Sequence, residues 1–600
     1  MLTDSELSLL LSGIQRPARY IGGEVNSVVK DWESVECRLA LAFPDIYEIG
    51  MSHLGLGILY GVVNARPDAA AERVFMPWFD MDERMEARGI PLFSLETRRS
   101  LGEFDIVGFS LQYELSYPTV LRMLDISGVP RRRWQRQSQG GPLVIAGGPC
   151  AFNPAPLAEF VDIFVTGDGE EAIGELIDVW KEKRRAPRPE LVAAIARRVK
   201  GVYAPALGGQ QSGGVPVEPA CVEDLDAAFY PTAPVVAHVE SVHDRISLEV
   251  MRGCARGCRF CQAGMTRRPV RLRSVRRLVE LAQASYRNTG HSEIGLLSLA
   301  TGDYPHLGEL AARLSHIFTP LKVSLAYPSL RADRALQVIP HSAGEVRKST
   351  ITVAVEAGTE RLRSVINKDI TEGGLLDGMR AAFEAGWSRV KLYFMAGLPT
   401  ETTEDVEAIA EIVARVVEAG KKAGRQPQVG VSVAPFIPKP GTPFQWNPMA
   451  PRQQLEDARE TLSQRLRGLP VKLSFHNIDR SIVEAALARG GLEVQGALAA
   501  AADMGARLDA WDEGFDFARW RRAFDSVDLD IEAYAGREME PGRPLPWDDV
   551  SAGVSAEYLV REHHRATRQE STPDCTRQAC QRCGLEKGPC AMRARKDAFG

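Results

Sequence analysis

No run of about 18 apolar residues occurs in the 600-residue chain, so nothing in it reads as a membrane-spanning helix. It also lacks a charge excess of either sign: 73 Lys and Arg stand against 78 Asp and Glu, a net charge of −5. That argues against a generally basic nucleic-acid coat or an acidic solvating tail, though not against a local basic patch. There is no repeat at solenoid periods. The opening MLTDSELSLLLSGIQRPARY has an apolar run too short, and a front too acidic, for a signal peptide. Cysteine is scarce, at 10 residues, and uneven. One group falls within 254–261 and another within 575–590, while Cys37, Cys150 and Cys221 stand alone. A secreted disulfide scaffold would spread more cysteine over fewer residues. The chain therefore reads as cytoplasmic, with cysteines that ligate metal or stay reduced. Its 44% hydrophobic and 25% charged residues are those of an ordinary globular protein.

At roughly 100–200 residues per domain the length predicts several domains. Residues 1–34 read as an N-terminal arm. Over 35–200 strands alternate with helices: VECRLALAF, ERVFMPW, FDIVGFSLQ, PLVIAGGPC and VDIFVTGD are the strands. This alternation predicts an α/β doubly wound, Rossmann-like parallel sheet. Ligands sit at the carboxyl ends of such strands. Here those ends carry PDIYEIGMSHLG, SLQYEL, GGPCAFNP and GDGEE. No G-x-G-x-x-G follows the first strand, which argues against a dinucleotide. Residues 201–240, rich in Gly, Pro and Gln, read as a linker. Over 241–460 the segments ISLEV, EIGLLSLA, KVSLAYPS, STITVAVEA, RVKLYFMAG and QVGVSVAPF, with helices between them, predict a partial or full TIM-type barrel. Residues 461–570 are expected to be mostly helical, and 571–600 to form a small Cys-rich metal tail.

The first cysteine group is MRGCARGCRFCQAG, in which Cys254, Cys258 and Cys261 form C-x3-C-x2-C after the strand ISLEV. Three thiolates this close can occupy three corners of an iron–sulfur cube. Gly253 and Gly257 let the loop fold tightly around it. Three ligands leave one iron open to a small molecule. The plain alternative is a zinc loop completed by a fourth ligand from elsewhere.

The spacing, the preceding strand and Phe260 before the third cysteine together resemble the radical S-adenosylmethionine (radical SAM) superfamily. The resemblance implies a [4Fe-4S] cluster whose open iron binds S-adenosylmethionine. An electron from a flavodoxin- or ferredoxin-type donor then cleaves it to a 5′-deoxyadenosyl radical. It also implies that Phe260 lies at the cofactor, and that Thr301, Gly302 and Asp303, in ATGD, meet the methionine amino group. Glu356, at a strand end, would lie near the ribose. KLYFMAGLPTET (391–402) and APFIPKPGTPFQW (434–446) resemble the last barrel strands of radical enzymes that modify RNA, methylthiolate or bind cobalamin.

The domain before the barrel resembles that of the cobalamin-binding radical SAM enzymes, through DIVGFSLQYELSYPTVLRML, VIAGGPCAFNP and DIFVTGDGEEAI. The resemblance implies base-off cobalamin, its nucleotide tail passing beside Gly147 and Gly148. One pattern fails: the lower-ligand motif D-x-H-x-x-G is absent, since Met51 precedes and Leu56 follows His53. His53 is a candidate cobalt ligand, with a helix cap or a solvated side chain as alternatives. A flavodoxin-like sheet that binds another nucleotide, or nothing, is the alternative for the whole domain.

The second group, Cys575, Cys580, Cys583 and Cys590, forms C-x4-C-x2-C-x6-C. Four thiolates suit a closed zinc site or an auxiliary iron–sulfur cluster, with an unmetallated tail as the alternative. Neighbouring Arg577, Arg582, Lys587, Arg593 and Arg595 leave RNA open as a partner. The whole order resembles the long bacterial type of cobalamin-binding radical SAM protein with a Cys-rich tail. It implies radical modification, with methylation by cobalamin as one outcome and rearrangement or oxidation without methyl transfer as another. A cobalamin- or redox-sensing protein associated with RNA or the ribosome is the reading from a different class.

Overall fold

The computed structural model describes residues 1–327, 350–575 and 580–585, with the side chain of residue 212 left out. The first sheet is built from β1 (Cys37–Phe43), β2 (Ala69–Phe75), β3 (Ile106–Ser110), β4 (Leu143–Gly147), β5 (Ile163–Val165) and β6 (Val202–Tyr203). Their order is β2-β1-β3-β4-β5-β6. All pairings are parallel except β5–β6. The reason is visible in β1, CRLALAF. Leu39, Leu41 and Phe43 point into one apolar layer, and Ala40 and Ala42 into the other. A strand buried on both faces needs apolar residues at every position, not at alternate ones. Helices Leu54–Asn64, Glu170–Lys183 and Arg188–Arg198 cover the first layer. Helices Phe79–Arg88 and Tyr117–Ile126 cover the second.

Two segments do more than their composition suggests. The arm buries Leu7 and Leu10 in the second layer, and its Glu24 accepts a bond from the buried Arg73 at 2.8 Å. The segment expected to be a linker supplies the antiparallel edge strand β6. Its Ala220 packs so closely on Gly167 (φ +89°) that a Cβ there would lie 2.1 Å from the Ala220 carbonyl oxygen. Only glycine fits that crossing.

The second half holds β7 (Ile246–Glu249), the short antiparallel pair β8 (Met251–Arg252) and β9 (Arg271–Leu272), then β10 (Glu293–Leu297), β11 (Ser324–Ala326), β12 (Ile351–Glu356), β13 (Arg389–Ala396), β14 (Gln428–Pro435) and β15 (Val471–Phe475). Two parallel sheets, β7-β10-β11 and β12-β13-β14-β15, follow chain order. Such an arc of parallel strands with crossover helices is barrel-like. In β13, Val390, Leu392, Phe394 and Ala396 are buried against helices, whereas Lys391, Tyr393 and Met395 face the partly open other side. β15 corrects the expected boundary at 460. VKLSF alternates, with Val471, Leu473 and Phe475 half-buried and Lys472 and Ser474 exposed, but it is only five residues long and lies between two helical stretches. Beyond it, helices Ile478–Ala488, Val494–Asp503 and Phe517–Asp525 pack into the same core as the second layer of the first sheet and the outer faces of β12–β14.

Candidate functional site

The C-x3-C-x2-C loop leaves the carboxyl end of β7 through the hairpin arm β8. Gly253 (φ +90°) starts the turn, and a Cβ there would lie 2.5 Å from the Arg267 carbonyl oxygen. Cys261 caps the short helix Gln262–Thr266, its Sγ accepting from the Gly264 N–H at 3.3 Å. Burial, then the neighbouring Cys258, pushes the Cys254 thiol up to about 11. Burial, then Cys258 and Cys254, pushes Cys261 up to about 12. The thiols are therefore protonated without metal and must shed protons to ligate one.

The loop is held from outside by residues that sequence reasoning missed. Asn367 donates through Nδ2 to the carbonyls of Arg256 (3.2 Å) and Gly257 (3.1 Å). Arg259, fully buried, donates to Glu562 at 3.1 Å and to the carbonyls of Ser364, Val365 and Glu570. Gln581 donates to the Ala255 carbonyl at 3.3 Å. Phe260 sits in an apolar cluster with Leu362, Val365 and Ile366 of the adjacent helical turn, so its visible role is to anchor the loop. Arg259 stands inside the motif, but its partners lie more than 100 residues away, where no spacing signal reaches.

Around the loop the structure places the other expected residues at strand ends. Thr301, Gly302 and Asp303 form one 3-10 turn after β10. Thr301 is buried and its hydroxyl lies 2.9 Å from that of Ser298. Asp303 faces the cysteine loop and accepts from Arg256 Nε at 2.7 Å. Exposed Leu297 and Leu299 precede this turn. Glu356 ends β12 at a register shift, with φ +72°, and pairs with Lys368 Nζ at 3.3 Å. A non-glycine residue in that region is strained, and such strain collects at functional sites. Lys368 in turn bears electrostatically on Cys261. Lys391 lies 4.8 Å above the Tyr393 ring on the partly open face of β13.

The carboxyl edge of the first sheet is turned toward the same loop. Asp168, after β5, pairs with Arg252 at 3.1 Å, Arg267 at 3.4 Å and Arg271, all from the hairpin that carries the cysteines. Burial disfavours the Asp168 carboxylate, but Arg252, Arg271 and Arg267 hold it below its usual range. His53 is half-buried. Its Nδ1 caps helix Leu54–Asn64 by accepting from the Leu56 N–H at 3.1 Å. Burial lowers its pKa to about 4, so the ring is neutral at physiological pH. It lines a cavity of about 330 Å³ with Leu54, Tyr60, Phe229 and Tyr230. Gly147 and Gly148 end β4 where the chain turns. At Gly148 (φ +108°) a Cβ would lie 2.5 Å from the Leu111 carbonyl oxygen and 3.0 Å from Gln112 Nε2. Gly148 lets the loop after β3 cross over the end of β4, while Gly147 packs against Val165 of β5. Cys150 is buried beside Tyr117, close to Lys439, which is held between Glu114 at 2.6 Å and Glu484 at 2.8 Å.

A larger cavity, about 550 Å³, opens beyond β13 and is lined in part by Thr400, Glu401, Asn447, Arg452, Glu532 and His563. Burial raises Glu401 to about 7, although it accepts from the Gly397 N–H at 2.7 Å. In the tail, Cys575, Cys580 and Cys583 are described. Cys590, Arg577, Lys587, Arg593 and Arg595 lie outside the described residues. Among the described residues no three His, Cys, Asp or Glu side chains are set to hold a single metal ion. A cube asks for something else, because each thiolate binds its own iron. No described helix is long and apolar enough to cross a membrane.

Two family models match this chain: radical SAM proteins, N-terminal, over residues 55–205, and the radical SAM superfamily over residues 248–413. An uncharacterised protein of Methanocaldococcus jannaschii is 27% identical over 457 residues, 75% of this chain and 88% of that protein. Another, of Methanopyrus kandleri, is 25% identical over 366 residues, 56% of this chain and 68% of that protein. Among solved structures, the radical S-adenosylmethionine methyltransferase TsrM of Kitasatospora setae, with cobalamin and a [4Fe-4S] cluster bound, superposes with a TM-score of 0.50 at 15% identity. The match covers 82% of this chain and 99% of that one, and shows a shared fold.

Proposed function

Since the chain belongs to the radical SAM superfamily, we propose that Cys254, Cys258 and Cys261 hold a [4Fe-4S] cluster at which S-adenosylmethionine is cleaved, and that cobalamin is the second cofactor. The observation that carries the first part is the loop itself. Three thiols share one glycine-turned loop, clamped by Asn367, Arg259 and Gln581 and open toward Asp303 and Glu356. That donor set suits a cube with one open iron. Bound there, the cluster would supply the reducing electron, and cobalamin a methyl carrier. The protein's own residues bind and orient. Thr301, Gly302 and Asp303 meet the amino end of S-adenosylmethionine, with Arg256 fixing the Asp303 carboxylate. Glu356, oriented by Lys368, meets its ribose. An electron donor of flavodoxin or ferredoxin type completes the system.

The cobalamin part is supported by the sheet edge that Asp168 and its three arginines tie to the cysteine hairpin. The finer reading is methylation of an unactivated carbon, and the described residues do not name the substrate. Anaerobic protein given S-adenosylmethionine with a labelled methyl group and a low-potential reductant tests both parts. Corrin that copurifies and label that reaches cobalamin or product support methyl transfer. Label recovered only in the methionine released along with 5′-deoxyadenosine, and in neither cobalamin nor product, supports rearrangement or oxidation instead. No 5′-deoxyadenosine at all would leave only the sensor reading.

A further inference from the structure

The tail cysteines do not hang free of the molecule. Segment 580–585 is docked on helix Ala556–Thr567, where the Ser555 N–H donates to the Cys583 carbonyl at 2.8 Å. Cys583 is buried in an apolar cluster with Met265, Trp446 and Tyr558. Met265 belongs to the short helix that Cys261 caps, so this cluster forms the wall behind the first cysteine loop. Arg268 lies at the centre of that wall, only 8% exposed. It donates to the Gly264 carbonyl at 3.0 Å and to Gln581 Oε1 at 3.0 Å, and its guanidinium lies 5.4 Å from the Tyr558 ring centroid. Among the described residues no carboxylate pairs with it, and its Nη2 has no hydrogen-bond acceptor. A buried guanidinium without a counter-charge is costly. The groups that offset its burial are Tyr558, Cys583 and Cys575. Cys580, next along, already accepts the Arg582 N–H on its sulfur at 3.4 Å. Backbone N–H groups and a cation aimed at sulfur are what thiolates need, and protonated thiols do not.

From this we infer that Cys575, Cys580 and Cys583 hold a second, thiolate-ligated metal centre behind the first cysteine loop, with Arg268 as its counter-charge. Each thiol would lose its proton to solvent on ligation. Gln581, between two of these cysteines, donates to Ala255, between two of the first group, and so couples the two loops through one side chain. The centre would brace the first loop from behind, a different task from the RNA contact that the basic tail suggested. The inference relies on the proposed function only for what occupies the neighbouring loop.

The test is the metal content of anaerobically purified full-length protein, read as zinc, iron and acid-labile sulfide per chain. The variant Cys254→Ala/Cys258→Ala/Cys261→Ala removes the first site and leaves the tail intact. It should retain one centre per chain, read as iron with acid-labile sulfide. Adding Cys575→Ser/Cys583→Ser should remove that remainder entirely. In the otherwise wild-type chain, Cys575→Ser/Cys583→Ser should remove the same amount while the first site's iron stays. A first-site variant free of iron and sulfide would overturn the inference without any tail substitution, as would tail variants with unchanged iron content. If instead the first-site variant kept all of the wild-type iron, the reading of Cys254, Cys258 and Cys261 would fail and the tail centre would stand.

Discussion

At the residue scale, buried charges decide most outcomes. Arg259 is fully enclosed, and its partner Glu562 is 1% exposed on its side chain. Replacing Arg259 by Met strands that carboxylate and three carbonyls, and breaking one half of such a pair costs about 3–5 kcal/mol. Urea unfolding of Arg259→Met should show a loss of that order, with a matching fall in iron retained after reconstitution. Glu401 gives a prediction in pH. Its carboxyl is raised from 4.5 to about 7 in the folded state, so its contribution to stability is full below pH 4.5 and is lost as pH rises toward 7. Glu401→Gln should flatten the pH dependence of Tm across that window, whereas an unchanged profile would show that the group does not titrate there. At Gly148, Ala must adopt a positive φ and push its Cβ against the Leu111 carbonyl. Strain of this kind costs about 1–3 kcal/mol. The expected result is a lower Tm together with weaker corrin retention, followed by absorbance.

At the scale of elements, what could be read from the sequence follows from where the signal lies. β1 and β13 announce themselves because burial on two faces, or on one, writes a continuous or alternating apolar pattern along a single stretch. The cysteine loop is equally legible, since all three thiols and both glycines stand within nine residues of sequence. β15 is not, because its alternation runs for only five residues and is flanked by helix. Neither is the second use of the GDGEE turn. Asp168 reads as part of a ligand-binding loop, yet it is engaged by Arg252, Arg267 and Arg271 from the cysteine hairpin. Contacts between elements so far apart have no period and no spacing. The prediction at this scale concerns that joint. Asp168→Asn leaves the arginines without their shared carboxylate, and should cost about 3–5 kcal/mol in unfolding by denaturant. It should also raise hydrogen exchange in 251–272 more than in β13. Uniform exchange across both would deny the hairpin its anchor on the first sheet.

At the scale of the molecule, one apolar core runs through the second layer of the first sheet, the outer faces of β12–β14 and the C-terminal helices. Asn153 reaches from the first sheet to the carbonyls of Ala488 and Gly490, each at 2.9 Å, and Trp511 donates to Asp45 at 2.9 Å. The C-terminal region thus joins the two α/β halves, and its last segment closes the wall behind the cysteine loop. This order holds the carboxyl edge of the first sheet against the cysteine hairpin of the barrel-like half. The most direct test is 5′-deoxyadenosine release from anaerobic, cluster-loaded protein given S-adenosylmethionine and a low-potential reductant. Release by the wild-type chain and its loss in Cys254→Ala is the expected result. No release from the cluster-loaded wild-type chain, or undiminished release from Cys254→Ala, would contradict a radical SAM centre at this loop.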